Sequence, residues 1–304
     1  MSEQTHFHLP VEDKYETAFS KYNLHIHDEN IHEAIQKQIK TRTAENNTDD
    51  VKKLLLSCIE LTSLRVTDSN ESILKLTENV NALTDLHPEL PPFASICVYP
   101  RYASLVSQSL EVESTAIACV AGGFPSSQTP IEVKTVETAL ALNDGATEID
   151  FVMPVGAFLS GDYETVNDEI SELKEICGDK KLKVILETGA LQTAVNIKRA
   201  AIMAMYSGAD FIKTSTGKIE PAATPDAAYV MCQTIKEYFD ETGIRIGFKA
   251  AGGIKTIEDA ILYYTIVKEL LGKEWLNNHY FRIGTSKLAN LLLTDLLGKE
   301  FSAF

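Results

Sequence analysis

The chain has 304 residues, 44% of them hydrophobic and 23% charged, with a formal net charge of −15. This is globular composition, long enough for one α/β barrel or two modest domains, and its acidity argues against nucleic acid or an anionic membrane as a general partner. No apolar run approaches the ~20 residues that a membrane span needs. The five cysteines (Cys58, Cys97, Cys119, Cys177, Cys232) are odd in number and form no Cys-x-x-Cys pair, which suits reduced thiols in a cytoplasmic protein.

Residues 1–50 are polar and acidic, with helical patterning over 30–41, and read as an N-terminal helical extension. They open on Met1-Ser2-Glu3-Gln4, without a signal-peptide core. Five of the seven histidines (His6, His8, His25, His27, His32) fall here. Short His-x-His pairs without further ligands read as solvated chain rather than a metal site. The rest of the sequence is poor in imidazole, which argues against a His-based metal hydrolase or a Ser-His-Asp hydrolase. Residues 45–50 read as a linker or a helix start, and 51–304 as the catalytic domain.

From residue 51 strands alternate with helices. Eight strands are expected, at 57–61, 94–98, 114–120, 148–153, 183–187, 210–214, 245–249 and 280–283. Several are continuous apolar runs, as strands covered on both faces should be. The helix over 224–240 starts with Thr224 as N-cap and Pro225 as its first residue. That over 256–271 starts with a Thr256–Asp259 capping box. Gly145, Gly208 and Gly243 end helical patterns. Eight βα units point to a (β/α)8 TIM barrel. The rival doubly wound sheet lacks a Gly-x-Gly-x-x-Gly after its first strand.

A short repeat marks the site. Gly145-Ala146-Thr147-Glu148-Ile149-Asp150 matches Gly208-Ala209-Asp210-Phe211-Ile212-Lys213 as Gly-Ala-x-x-Ile-charge. Alternate barrel strands feed the same interior layer, so Asp150 and Lys213 should face inward near the C-terminal mouth. Lys249 ends the seventh strand beside Lys213. Two crowded ammonium groups oppose each other's protonation, leaving one amine neutral and nucleophilic toward carbonyls, with Asp150 placed to take and return protons. The structural alternative is a buried ion pair, or two lysines that only bind an anion. Anion-binding candidates are Thr216, Gly217 and Lys218 after the sixth strand, Gly252, Gly253, Ile254 and Lys255 after the seventh, and Gly284 and Ser286 after the eighth. Thr62, after the first strand, is a candidate for a substrate hydroxyl.

A carbonyl-reactive lysine, a second lysine, a carboxylate and a phosphate cradle together describe a class I aldolase. Phe211-Ile212-Lys213-Thr214-Ser215-Thr216-Gly217-Lys218, Gly247-Phe248-Lys249, Ala251-Gly252-Gly253, Arg282-Ile283-Gly284, Glu148-Ile149-Asp150 and Ile96-Cys97-Val98-Tyr99-Pro100 resemble the deoxyribose-phosphate aldolase family over residues 54–293. The resemblance implies reversible cleavage of 2-deoxy-D-ribose 5-phosphate to D-glyceraldehyde 3-phosphate and acetaldehyde, with no metal and no organic cofactor. By matching position, Lys213 would carry the Schiff base, Lys249 would lower its pKa and Asp150 would shuttle protons. Cys97 would line the pocket, and Lys218, Gly252, Gly253, Gly284 and Ser286 would hold the phosphate. The chain departs from the family pattern at Glu60 (usually Asp), Ala250 (usually Pro), Lys255 (commonly Arg), Lys287 (a small hydroxyl residue) and Val155-Gly156, where many members carry an arginine. The rivals are a lysine-dependent barrel aldolase with another acceptor and a non-catalytic sugar-phosphate-binding protein. The oligomeric state stays open, a homo-oligomer included.

Overall fold

The computed structural model describes residues 14–304; the His6–His8 pair and the polar start of the chain lie outside the described residues. Eight parallel strands close a barrel in chain order: β1 Ile59–Thr62, β2 Ser95–Val98, β3 Ala116–Ala121, β4 Glu148–Val152, β5 Lys181–Ile185, β6 Phe211–Lys213, β7 Gly247–Ala251 and β8 Phe281–Thr285. β8 pairs with β1, for example Ile59 with Ile283. Closure leaves no unpaired sheet edge. The first strand begins later than the sequence pattern suggests, because residue 57 still belongs to the helix Asp49–Ser57.

The helices between strands start and stop where local chemistry dictates. Ahead of the helix Pro225–Thr242, Thr224 Oγ1 accepts the Ala227 amide at 3.1 Å. At the helix Ile257–Leu270 the capping box is complete: Thr256 Oγ1 accepts from Asp259 N and Asp259 Oδ2 from Thr256 N, both at 3.0 Å. These bonds satisfy amides that a helix start otherwise leaves open. Gly243 takes a left-handed φ of 72° at the end of Pro225–Thr242, a conformation only glycine adopts at no steric cost.

The extension does not stand apart from the barrel. Its helices Lys14–Ser20 and Asp28–Ala34, the π-helical stretch Ile35–Ile39 and the helix Lys40–Thr43 lie against the outer helices Ala194–Tyr206, Pro225–Thr242 and Ile257–Leu270. Phe19, Ile31, Ile35 and Ile39 are buried there and join the main apolar core. Polar contacts set the register: Asp28 Oδ1 accepts the Ala194 amide at 2.9 Å, and Asn46 donates to Thr265 Oγ1 at 2.9 Å. Among the described residues, no helix is long and apolar enough to cross a membrane.

Candidate active site

Side chains alternate across a strand, so residues two apart share a face. In β4 this sends both Glu148 and Asp150 into the barrel. Glu60 of β1, Lys183 of β5, Lys213 of β6, Lys249 of β7 and Arg282 of β8 meet them there. All seven are at most 3% exposed. Lys213 and Lys249 are register partners on adjacent strands. Both donate to one oxygen, Asp150 Oδ2, at 2.7 and 2.6 Å. Lys183 reaches all three carboxylates: Glu148 at 2.6 Å, Asp150 at 3.0 Å and Glu60 at 3.1 Å. Arg282 bonds Glu60 at 3.0 Å and grips both oxygens of Glu148 at 3.0 and 3.1 Å. Lys249 also bonds Glu60.

The cluster thus holds four cationic side chains and three carboxylates, away from water. A surplus buried charge is expensive. The four cations are not equally supported: Lys183 has three carboxylates, Arg282 and Lys249 have two each, and Lys213 has one, which it shares. Lys213 is therefore the group that sheds its proton most readily. Burial pushes its amine below the ordinary lysine range; Asp150 pulls the other way and the Lys249 ammonium adds to the lowering. Burial also opposes the charge on Lys249, but Asp150 and Glu60 outweigh it and its pKa is raised. Burial disfavours the Asp150 carboxylate too, yet Lys183, Lys213 and Lys249 hold it well below the usual range. Glu148 is held down at about 2: burial opposes its charge, and Lys183 and Arg282 overcome that.

Above Lys213 lies a cavity of about 240 Å³, bounded by Thr62, Leu64 and Arg65 on the β1 side and by the loops after β6, β7 and β8 on the other. Thr216, Gly217, Lys218, Gly252, Gly284 and Ser286 line it, as does Lys213. The β6 and β7 loops touch backbone to backbone. A Cβ on Gly252, whose φ is 83°, would lie 3.0 Å from Gly217 Cα and 2.7 Å from Ala222 Cβ. Gly284 clears the path of a catalytic candidate, since a Cβ there would lie 3.1 Å from Lys249 Cε.

The other sequence candidates sit elsewhere. Asp150 and Lys249 lie beneath the cavity, bonded to Lys213 as above. Cys97 is buried in a small apolar cluster with Leu64, Ala118 and Val120, against Tyr99 and Phe124; burial pushes its thiol up to about 11. Ile254 packs into the main core. Gly253 and Lys255 are exposed and do not line this cavity; the Lys255 amide bonds Asp259 at 3.1 Å. Glu60, Cys97 and Asp150 bring potential metal-ligand atoms within 4.8 Å of one another, but both carboxylates are already occupied by lysine ammonium groups.

A family model described as DeoC/LacD family aldolase matches residues 61–269, which takes in all eight strands except β8 and the first residues of β1. The chain belongs to this aldolase family. It is an enzyme, a lyase acting on carbon–carbon bonds. A Caenorhabditis elegans relative is 41% identical over 88% of this chain and 89% of its own length. Deoxyribose-phosphate aldolase of Homo sapiens is 40% identical over 76% of either chain. Among solved structures, the deoxyribose phosphate aldolase of Aeropyrum pernix, described as tetrameric, superimposes with a TM-score of 0.65 at 27% identity, covering 85% of this aldolase and 97% of that chain.

The sequence reading missed Lys183, Glu148 and Arg282 as site residues and left Glu60 without a role. Its signal was present. Lys181 and Lys183, like Glu148 and Asp150, are charges at alternate positions of otherwise apolar strands, and period 2 sends both members of such a pair to one face. It also missed Glu187, buried with a left-handed φ of 55°. In the aldolase its carboxylate accepts from the Thr216 hydroxyl and, at 3.2 Å, from the Thr216 amide, bracing the loop after β6.

Proposed function

We propose that the enzyme is a class I aldolase that reversibly cleaves 2-deoxy-D-ribose 5-phosphate into D-glyceraldehyde 3-phosphate and acetaldehyde. The observation that carries this reading is the position of Lys213, which shares its one carboxylate oxygen with Lys249 and lies at the floor of a cavity that no carboxylate lines. The relatives' names supply the substrate class. Five buried free cysteines fit a cytoplasmic location.

Neutral Lys213 Nζ adds to the C1 carbonyl of the open-chain sugar, and loss of water gives an iminium. The iminium is an electron sink one bond from C2. Asp150, acting through a bound water, takes the proton of the C3 hydroxyl, the C2–C3 bond breaks, and its electron pair becomes the enamine on Lys213. The three-carbon aldehyde phosphate leaves. Protonation at C2 and hydrolysis release acetaldehyde and restore the amine. Asp150, 2.7 Å from Lys213 Nζ, is the group for proton exchange with the forming carbinolamine. Lys249, held charged by Asp150 and Glu60, favours the neutral amine. Gly217, Gly252, Gly284, Ser286 and Lys218 receive the phosphate in loops where such sites are common in this fold.

Reduction with borohydride in the presence of acetaldehyde, followed by peptide mass spectrometry, tests the reading. A two-carbon adduct on Lys213 is expected. No adduct, or one on Lys249 alone, overturns the assignment. Lys213→Leu should abolish turnover with the fold retained. Ser286→Glu should raise KM for the phosphorylated sugar, and an unchanged KM would remove Ser286 from the phosphate site.

A further inference from the structure

Arg65 lines the cavity beside the proposed phosphate loops. It is an exposed residue of the loop after β1 and lines the same cavity as Ser286, which follows the neighbouring strand β8, and as the glycine loops after β6 and β7. The loop is held in shape without its side chain. Asp68 accepts the Ser63 hydroxyl at 2.8 Å and the Arg65 amide at 2.9 Å, the Asp68 amide bonds the Arg65 carbonyl at 3.2 Å, and Tyr102 donates to the Asp68 carbonyl at 2.6 Å. The carbonyl of Leu64, next to Arg65, accepts from Lys218 Nζ and, at 3.4 Å, from the Tyr99 hydroxyl. The ammonium of Lys218 is thereby parked beside Arg65, joining the β1 loop to the β6 loop. Among the described residues the Arg65 guanidinium has no carboxylate partner, whereas both oxygens of its neighbour Asp68 are taken by the loop.

The cavity is therefore lined by three basic residues, Arg65, Lys213 and Lys218, and by no acid, in a chain of net charge −15. Lys213 is the proposed nucleophile, which leaves Lys218 and Arg65 for an anion. The glycine loops offer backbone N–H groups from one wall only. A guanidinium on the β1 wall would present a planar fork matched to two oxygens of a phosphate.

We propose that Arg65 is a specificity-determining residue that grips the substrate phosphate from the β1 side, so that the phosphate is held between two walls rather than on one. The inference rests on the phosphorylated-sugar reading above. It assigns Arg65 the discrimination between phosphorylated and free deoxyribose.

The test is steady-state cleavage of 2-deoxyribose 5-phosphate and of free 2-deoxyribose by the native enzyme and by Arg65→Ala, Arg65→Gln and Arg65→Lys. Inorganic phosphate serves as a competitive probe. Arg65→Ala and Arg65→Gln should each raise KM for the phosphorylated sugar about tenfold, the size of one charge-assisted contact. The ratio of kcat/KM for phosphorylated over free sugar should fall by the same factor. Phosphate should inhibit both variants less, and Arg65→Lys should recover part of the loss. A ratio unchanged in both variants overturns the proposal. So does an equal loss of kcat on both sugars, which would mark Arg65 as a brace of its loop. Failure of the native enzyme to cleave either sugar, or to form the Lys213 adduct, would instead overturn the function on which the proposal rests.

Discussion

Lys213 and Lys249 stand opposite each other on β6 and β7 and share a single oxygen of Asp150, at 2.7 and 2.6 Å. They differ in one contact. Lys249 has a second carboxylate, Glu60, and Lys213 has none. That asymmetry decides which amine keeps its proton. A glutamate at position 60 is long enough to touch Lys249, Lys183 and Arg282 together, which gives this departure from the family pattern a physical role.

Replacing Lys249 by Leu removes the neighbouring cation that helps lower the Lys213 pKa. The Lys213 amine then titrates at higher pH than in the native enzyme. In the proposed mechanism the neutral amine is the reactive form, so the rising limb of the kcat–pH profile should move to higher pH. Turnover near pH 7 should fall, by about tenfold for each unit that the Lys213 pKa rises. An unshifted limb would show that Lys249 does not tune Lys213.

Lys183 holds three buried carboxylates but lies below the cavity. Lys183→Met takes one ammonium from each of those carboxylates, leaving them to Lys213, Lys249 and Arg282, and breaking a buried pair typically costs about 3–5 kcal/mol. Urea unfolding monitored by circular dichroism should show a loss of that order. A change under about 1 kcal/mol would mean that the barrel readily admits water or lets Glu148 take up a proton.

The same cluster sets the response to acid. Glu60, Glu148 and Asp150 are all lowered on folding, Glu148 to about 2. Groups with depressed pKa values stabilise the fold above their unfolded values, near 4, and this contribution is lost as pH falls through the folded values. Stability from these groups should be flat above about pH 5 and decline steadily from about pH 4 toward 2. Urea midpoints measured across that window provide the check. A midpoint that holds down to pH 2.5 contradicts the ionised assignment.

Gly252→Ala puts a methyl group into the contact between the β6 and β7 loops, at a left-handed φ. The loops must part. KM for the phosphorylated substrate should rise several-fold, of the order expected when a strained backbone site costs 1–3 kcal/mol, with a smaller effect on kcat. An unchanged KM would show that loop spacing does not matter to phosphate binding.

Thr256→Ala removes an N-cap remote from Lys213 and should cost about 1 kcal/mol in urea unfolding. The kcat of the folded variant should match that of the native enzyme, and a large fall in kcat would show that this helix start is coupled to chemistry.

Much of this was legible locally. The alternation of apolar runs with capped helices is a short-range pattern, and it marked the barrel. The order of β1 to β8 followed from it, because right-handed βα units leave few ways to arrange neighbouring strands. Thr224, Thr256 and Gly243 acted as caps because capping depends on atoms within four residues. The repeat ending in Asp150 and Lys213 was readable for a similar reason: strand parity is a property of sequence. The partner of Glu60 was not. Its carboxylate meets Lys249 across 189 residues and Arg282 across 222, and no local pattern reports a contact at that separation.

The sequence alone thus determined the barrel class, the inward placement of Asp150, Lys213 and Lys249, and the glycine loops, since all of these depend on period, parity and turn chemistry. Only the tertiary structure decided which lysine is short of a carboxylate, that the extension packs on the outer helices, and that Arg65 joins the lining of the cavity. Those outcomes depend on how charges distant in the chain share a space without water, where the count of partners around each group sets its protonation.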